Sequence, residues 1–165
     1  KTLNSIVTRN EDIPSLTGSS ALLGQSEGGI FFEATPFAIN VNMNLTLSDG
    51  SVVNRVFLGF RTGGLISMLA TKANVLQVNS TGGTIVANQF YKAAMRYAVN
   101  NYSLHLDGVA IATDTSAETF TGSTLTDVRL TAGNTSSDPF YGRIRQFVVF
   151  NQSPTNSQLA AITTP

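Results

Sequence analysis

The sequence predicts an all-β protein, a sandwich or barrel of roughly ten short antiparallel strands with one short C-terminal helix. Three observations carry this expectation. Apolar and polar residues alternate with a period of two along most of the chain, the pattern of strands that turn one face to a core. Gly, Asn and Asp recur between those stretches, where tight hairpins demand positive φ. Lys and Glu, the usual coating of surface helices, are scarce, and Ser, Thr, Asn and Gly are abundant throughout.

Taken in order, residues 1–28 are the least patterned and read as an N-terminal strand and loop wrapping the domain. A strand follows at 30–35. In 41–47 the apolar residues fall on odd positions and the polar ones on even, so this strand is half-buried. Similar patterns mark strands at 55–61, 65–71, 75–78, 91–99, 102–107, 109–114, 125–130 and 142–150. Between them stand Asp49-Gly50, Gly63-Gly64, Gly82-Gly83, Asn100-Asn101 and Asp107-Gly108. The best local case is the hairpin around Asp107-Gly108, where Tyr102, Leu104 and Leu106 share one face and Val109 and Ile111 return. For the final helix, Ser153 is the expected cap and Pro154 the first helical residue, with Leu159, Ala160 and Ile162 as its apolar stripe. It is expected to plug one edge of the sandwich. No repeat, linker or low-complexity tract interrupts the chain, so residues 1–165 read as one domain.

Composition narrows function by exclusion. Ten Lys and Arg balance ten Asp and Glu, and only 12% of residues are charged. There is no basic stripe of the kind that phosphate-dominated nucleic-acid binding needs. Without cysteine, disulfides, thiolate metal sites and cysteine nucleophiles are ruled out. A single histidine, His105, removes most triads and zinc sites. No uninterrupted apolar run reaches the roughly 18 residues that span a bilayer, and Lys1 opens no signal peptide. The chain is expected to be a soluble domain, without membrane insertion.

Catalysis is not expected. A glycosidase on a sandwich needs two carboxylates about 5 Å apart, which adjacent strand faces supply at alternate positions. Glu33 is the only acid of the 30–35 strand, Asp127 stands alone in its own, and the adjacent Glu11-Asp12 would face opposite ways. Gly-x-Ser-x-Gly and phosphate-loop patterns are absent. Asp49, Asp107, Asp114 and Asp138 lie near expected loops, and residues 134–138 could wrap a calcium ion, although turn formation already accounts for Asp49 and Asp107. Cofactor and metal are therefore left open at Ca2+ or none. The polar rows opposite the core, Asn42/Asn44, Lys92/Arg96 and Ser103/His105, are expected on exposed sheet surface, where they could bind sugar hydroxyls. Asp138, Tyr141 and Arg143 supply a second candidate site at the rim. With no Trp and four Tyr, a strong stacking platform is not evident.

Two stretches resemble a known family. Thr8-Arg9-Asn10-Glu11-Asp12-Ile13-Pro14-Ser15-Leu16-Thr17-Gly18, then Gln25-Ser26-Glu27-Gly28-Gly29-Ile30-Phe31-Phe32-Glu33, resemble the opening of concanavalin A-like (laminin-G-like) jelly rolls found in bacteriophage and prophage tail proteins. The segments 91–97, 102–108 and Phe140-Tyr141-Gly142-Arg143-Ile144-Arg145-Gln146-Phe147-Val148-Val149-Phe150, leading to Gln158-Leu159-Ala160-Ala161-Ile162, are similar to the family's closing strands and last helical turn. Ala21-Leu22-Leu23-Gly24 departs from the aromatic residues expected before the Glu-Gly. The resemblance implies a two-sheet antiparallel jelly-roll sandwich. It also implies a non-catalytic, carbohydrate-binding adhesion domain on a phage virion, meeting host surface polysaccharide and neighbouring virion subunits, with a homotrimer possible. The alternative is a decoration, cement or fibre domain that works through protein contacts alone.

Overall fold

The computed structural model describes residues 14–134 and 137–165, so the part of the expected wrapping segment at 1–13 lies outside the described residues. Eleven strands are described: β1 (Ser15–Leu16), β2 (Glu27–Pro36), β3 (Met43–Ser48), β4 (Arg55–Arg61), β5 (Leu65–Lys72), β6 (Val75–Gly82), β7 (Tyr91–Ala98), β8 (Tyr102–Leu106), β9 (Val109–Asp114), β10 (Asp127–Arg129) and β11 (Gly142–Phe150). They form two antiparallel sheets, β1-β10-β3-β4-β5-β6 and β11-β2-β7-β8-β9. The expected sandwich is what the chain adopts.

Alternation decides what lies between the sheets. Met43, Leu45 and Leu47 of β3, Val56, Leu58 and Phe60 of β4, and Ile66, Met68 and Ala70 of β5 meet Ile30, Phe32 and Ala34 of β2, Ala93, Met95 and Tyr97 of β7, and Leu104 of β8, all essentially buried. Each Leu- or Phe-sized side chain buried in this way stabilises the fold by about 1.5–3 kcal/mol. Phe32 and Phe60 join the layers with ring centroids 5.2 Å apart, and Phe140 closes on both. The buried tyrosines keep their hydroxyls satisfied: Tyr97 donates to the carbonyl of Gly24 and Tyr102 to that of Glu118.

Turn chemistry places the ends. Asp107 and Gly108 take φ of 47° and 83°, the doubly positive geometry that matches the twist of a two-residue hairpin. The first strand edges differ from expectation. Val41 and Asn42 belong to the loop before β3, and β10 covers only 127–129 of the expected 125–130.

The helix α1 (Asn156–Thr163) begins two residues later than expected and sits elsewhere. Thr155, not Ser153, is its cap, because Gln158 at the third helical position completes a reciprocal capping box with it. Pro154 precedes the helix instead of opening it, because the capping box starts the first turn after Thr155. The apolar stripe does not plug an edge. Leu159 is fully buried against Phe31 and Ala94, with Val148, Phe150 and Ile162 beside them, so α1 lies across the outer face of the second sheet.

Candidate functional site

In antiparallel strands successive turns alternate between the two ends of the sandwich. The β2–β3 loop (37–42), the β4–β5 turn (62–64) and the segment before β11 (138–141) therefore gather at one end. They enclose a cleft of about 460 Å3 lined by Asn40, Val41, Asn42, Thr62, Asp138, Pro139 and Tyr141. Three residues picked out from sequence, Asn42, Asp138 and Tyr141, converge here. The sequence reading missed Asn40, Val41, Thr62 and Pro139; Thr62 stood in plain view beside the Gly63-Gly64 turn signal.

Each wall is fixed by local chemistry. The Thr62 amide donates to Asn42 Oδ1 at 3.2 Å, which ties the β4–β5 turn to the β2–β3 loop. The Gly63 amide donates to the Ile39 carbonyl at 2.9 Å and reinforces that tie. Asp138 holds a φ of 49°, a strained conformation that Asp tolerates better than most side chains. Tyr141 is 55% exposed, and its ring meets Phe37 edge-on with centroids 5.3 Å apart. Arg143 lies over the same Phe37 ring at 5.5 Å. Arg143 thus braces the cleft through Phe37 and does not line it.

Beneath the cleft, the outer face of the first sheet is polar and closed. Asn44 is on that face, as its alternation required, but it is fully buried. The expectation of an exposed Asn44 is corrected by what crosses over it. Arg61 donates to Asn44 Oδ1 at 2.6 Å, and its guanidinium lies 4.3 Å above the Phe57 ring. This close pass requires Gly59 between them: a Cβ there would come within 2.6 Å of Asn44 Oδ1 and 2.2 Å of the Met43 carbonyl oxygen. The segment after β10 covers the neighbouring row, with Thr46 and Ser48 donating to the carbonyls of Thr131 and Gly133. Burial brings the Arg61 guanidinium down to about 10, opposed by the attraction of Asp138 and assisted by the repulsion of Arg55. Arg61 is still a cation at neutral pH, and Asp138 has two arginines near enough to feel its charge.

The other expected rows lie on the second sheet, and α1 corrects them. Ser103 and His105 do point away from the core, yet they are 1% and 2% exposed. Arg96 is held by the Pro154 carbonyl at 3.3 Å and by Asn101 Oδ1 at 2.5 Å. Lys92 Nζ donates to the Thr164 carbonyl at 2.8 Å. Lys92, Arg96, Ser103 and His105 therefore fasten or underlie the helix approach and form no open binding row.

Several acids among the described residues are taken up in local contacts. Glu33 is paired with Arg145 at 2.8 Å, and Asp127 with Arg129 at 2.6 Å. Asp49 accepts from Ser51 and Asn54, Asp107 from the Lys92 amide, and Asp114 from Ser116. No group of three or more His, Cys, Asp or Glu side chains is placed to hold a metal among the described residues.

Two antiparallel sheets in this strand order, with loops gathered at one end, form a jelly-roll sandwich. Residues 14–160 match the family model of the concanavalin A-like lectin/glucanases superfamily, and the chain belongs to that superfamily. Among solved structures, it is similar to the CBM40 domain of the Ruminococcus gnavus IT-sialidase bound to α2,3-sialyllactose. That likeness has a TM-score of 0.73 and 18% identity, covering 86% of this chain and 84% of that one. It is also similar to domain 4 of AbnA, a GH43 extracellular arabinanase from Geobacillus stearothermophilus, in complex with arabinotriose. There the TM-score is 0.70 at 13% identity, over 98% of this chain and 85% of that one. Domains LG4-5 of the mouse laminin α1 chain share the fold at a TM-score of 0.62 and 10% identity, over 84% of this chain and 40% of theirs. At these identities the likeness is one of fold. Among curated protein sequences nothing matches the chain.

Proposed function

We propose that this is a non-catalytic carbohydrate-binding domain whose ligand occupies the cleft between the 37–42 loop, Thr62 and the 138–141 segment. The observation that carries the reading is the convergence of an exposed aromatic ring, Tyr141, with Asn40, Asn42, Thr62 and Asp138 around a space of about 460 Å3. A sugar ring offers an apolar face and a rim of hydroxyls. Tyr141 suits the face, and the polar groups suit the rim. Asn42 spends its Oδ1 on the Thr62 amide, so its Nδ2 is left to donate, whereas ionised Asp138 only accepts. A hydroxyl both donates and accepts, and this pair answers both needs. The carbohydrate ligands in the structures of the CBM40 and AbnA domains support the reading.

On the resemblance set out above, the domain belongs to a phage virion and adheres to host surface polysaccharide. One shallow cleft with a single lining ring binds weakly, and presentation in several copies, as on a trimeric fibre, raises avidity. The test is a glycan array followed by calorimetry on the strongest hit, with α2,3-sialyllactose and arabinotriose as defined probes. Saturable binding that Tyr141→Ala weakens is the expected result. A folded domain that binds no glycan overturns the proposal.

One observation favours the second reading, assembly through protein contacts. Val52, Val53, Val75 and Leu76 are exposed, and the Asn74 amide draws their two turns together by donating to the Val53 carbonyl. This aliphatic patch spans the β3–β4 loop and the start of β6, at the opposite end from the cleft. Light scattering after size exclusion tests it: a stable oligomer broken by Val53→Asp with Leu76→Asp supports this reading, and a monomer contradicts it.

A further inference from the structure

The helix α1 covers polar groups that it does not satisfy. Arg96 Nε, Ser103 Oγ, His105 Nδ1 and Ser153 Oγ are all buried without a hydrogen-bond partner. The first three stand on the outer face of adjacent strands. Arg96 pairs with Ser103 across β7 and β8, and His105 follows two residues along, opposite Ala94 and Ala110. Ser153 joins them from the helix approach, next to the Pro154 carbonyl that Arg96 holds. Every such orphan opposes the docked state, since solvent would satisfy it on opening. Apolar contact of Leu159 with Phe31 and Ala94 keeps the helix down, together with the Lys92–Thr164 and Gly108–Thr163 hydrogen bonds. The second sheet therefore carries a lid held by apolar contact and a few hydrogen bonds over polar atoms that it leaves unsatisfied.

We propose that α1 is an acid-released latch, and that protonation of His105 beneath it is the trigger. The buried Nδ1 of the imidazole has no acceptor to meet a proton placed there. Its cross-strand neighbours are alanines, and α1, from Asn156 to Thr163, brings no titratable side chain. On β7 the charged groups of this face are the cations Arg96 and Lys92. On β9 the facing residues Ala110 and Thr113 are uncharged. Asp107 at the end of β8 is the nearest carboxylate by sequence, and it is taken up by the Lys92 amide. Beyond Lys92, Glu33 is committed to Arg145.

Burial holds the His105 imidazole below its ordinary value, and the charge of Arg96 adds to that effect. Opening returns the imidazole to water and lifts the burial penalty, so the undocked state binds the proton more readily. The docked state therefore loses stability as pH falls below about 6.5 and keeps it above that value. Opening would bare Phe31, Ala94, Arg96, Ser103 and His105, an apolar floor with polar rows beside it.

Hydrogen exchange at the amides of 156–163, corrected for the intrinsic effect of pH, tests the latch. In the wild-type chain, exchange there is expected to rise severalfold between pH 7.5 and pH 5, while the central strands β2 and β7 stay protected. His105→Gln should abolish the rise. An acid response of equal size in His105→Gln, a response spread evenly over the whole sandwich, or no response in the wild-type chain overturns the proposal. Should His105→Gln not fold, the wild-type chain still decides the matter, because its single histidine gives an unambiguous NMR titration. An imidazole midpoint below 6.5, with helix signals shifting along the same curve, supports the latch. A midpoint at or above 6.5, or helix signals that ignore the titration, overturns it.

Discussion

The loop-end cleft and the sheet face beneath α1 are made from similar side chains, and one is open where the other is shut. Both offer polar amide or hydroxyl groups, a charged residue and an apolar contact: Asn42, Asp138 and Tyr141 in the cleft, Ser103, Arg96 and Phe31 under the helix. In the cleft the polar groups come from three separate segments around an open space. Under α1 they come from adjacent strands, form a flat face, and a flat face with an apolar stripe over it attracts a helix. The lesson is that residue type marks a surface capable of recognition, while the neighbouring element decides whether that surface meets a ligand or the protein itself.

Four substitutions sharpen this contrast. The largest effect is expected for Leu159→Ala, which empties the buried contact with Phe31 and Ala94 and should cost about 2–4 kcal/mol in denaturant unfolding, with glycan binding at the cleft unchanged. Tyr141→Ala should do the reverse. Its ring is half exposed and loses only the edge-on contact with Phe37, so stability should move by no more than about 1 kcal/mol, while calorimetric affinity for the best array glycan falls roughly tenfold with the loss of stacking. Thr155→Ala removes the capping box and should destabilise α1 by about 1 kcal/mol, read as faster exchange of the helix amides. The smallest effect is expected for Asp138→Asn, because Asn also accepts positive φ and keeps the loop shape. Only the charge of the acceptor changes, and affinity should drop about threefold to fivefold. A loss of stability in place of affinity at Asp138 or Tyr141 would mean that the cleft is merely structural.

Much of the fold was legible because its cause is local. Alternation in Met43 to Leu47 and Tyr102 to Leu106 names the inner row correctly, and Asp107-Gly108 forms the hairpin its residues prescribe. The β5–β6 turn shows the limit. Ala73 and Asn74 adopt φ of 49° and 64° without a glycine, so a hairpin formed where the usual signal was absent. The helix was visible, but its cap was not, since Ser153-Pro154 and Thr155 with Gln158 are both plausible starts until the capping box is seen closed. Site prediction failed where coverage mattered. Alternation set His105, Ser103 and Asn44 on the correct faces, and nothing in a period of two reports that α1 or Arg61 will lie over them. Asp138 and Tyr141 succeeded because loop ends are exposed by construction. Thr62 and Asn40 escaped because their meeting with Asn42 depends on which ends of the sheets coincide.

The most direct measurement is an NMR titration of the 15N-labelled domain with the strongest array glycan, assigned residue by residue. Saturable shifts should centre on Asn40, Asn42, Thr62, Asp138 and Tyr141, leaving the amides of Arg96, Ser103 and His105 still at neutral pH. Shifts that centre instead on the β7–β8 face under α1, or a spectrum that no glycan perturbs, would contradict the account.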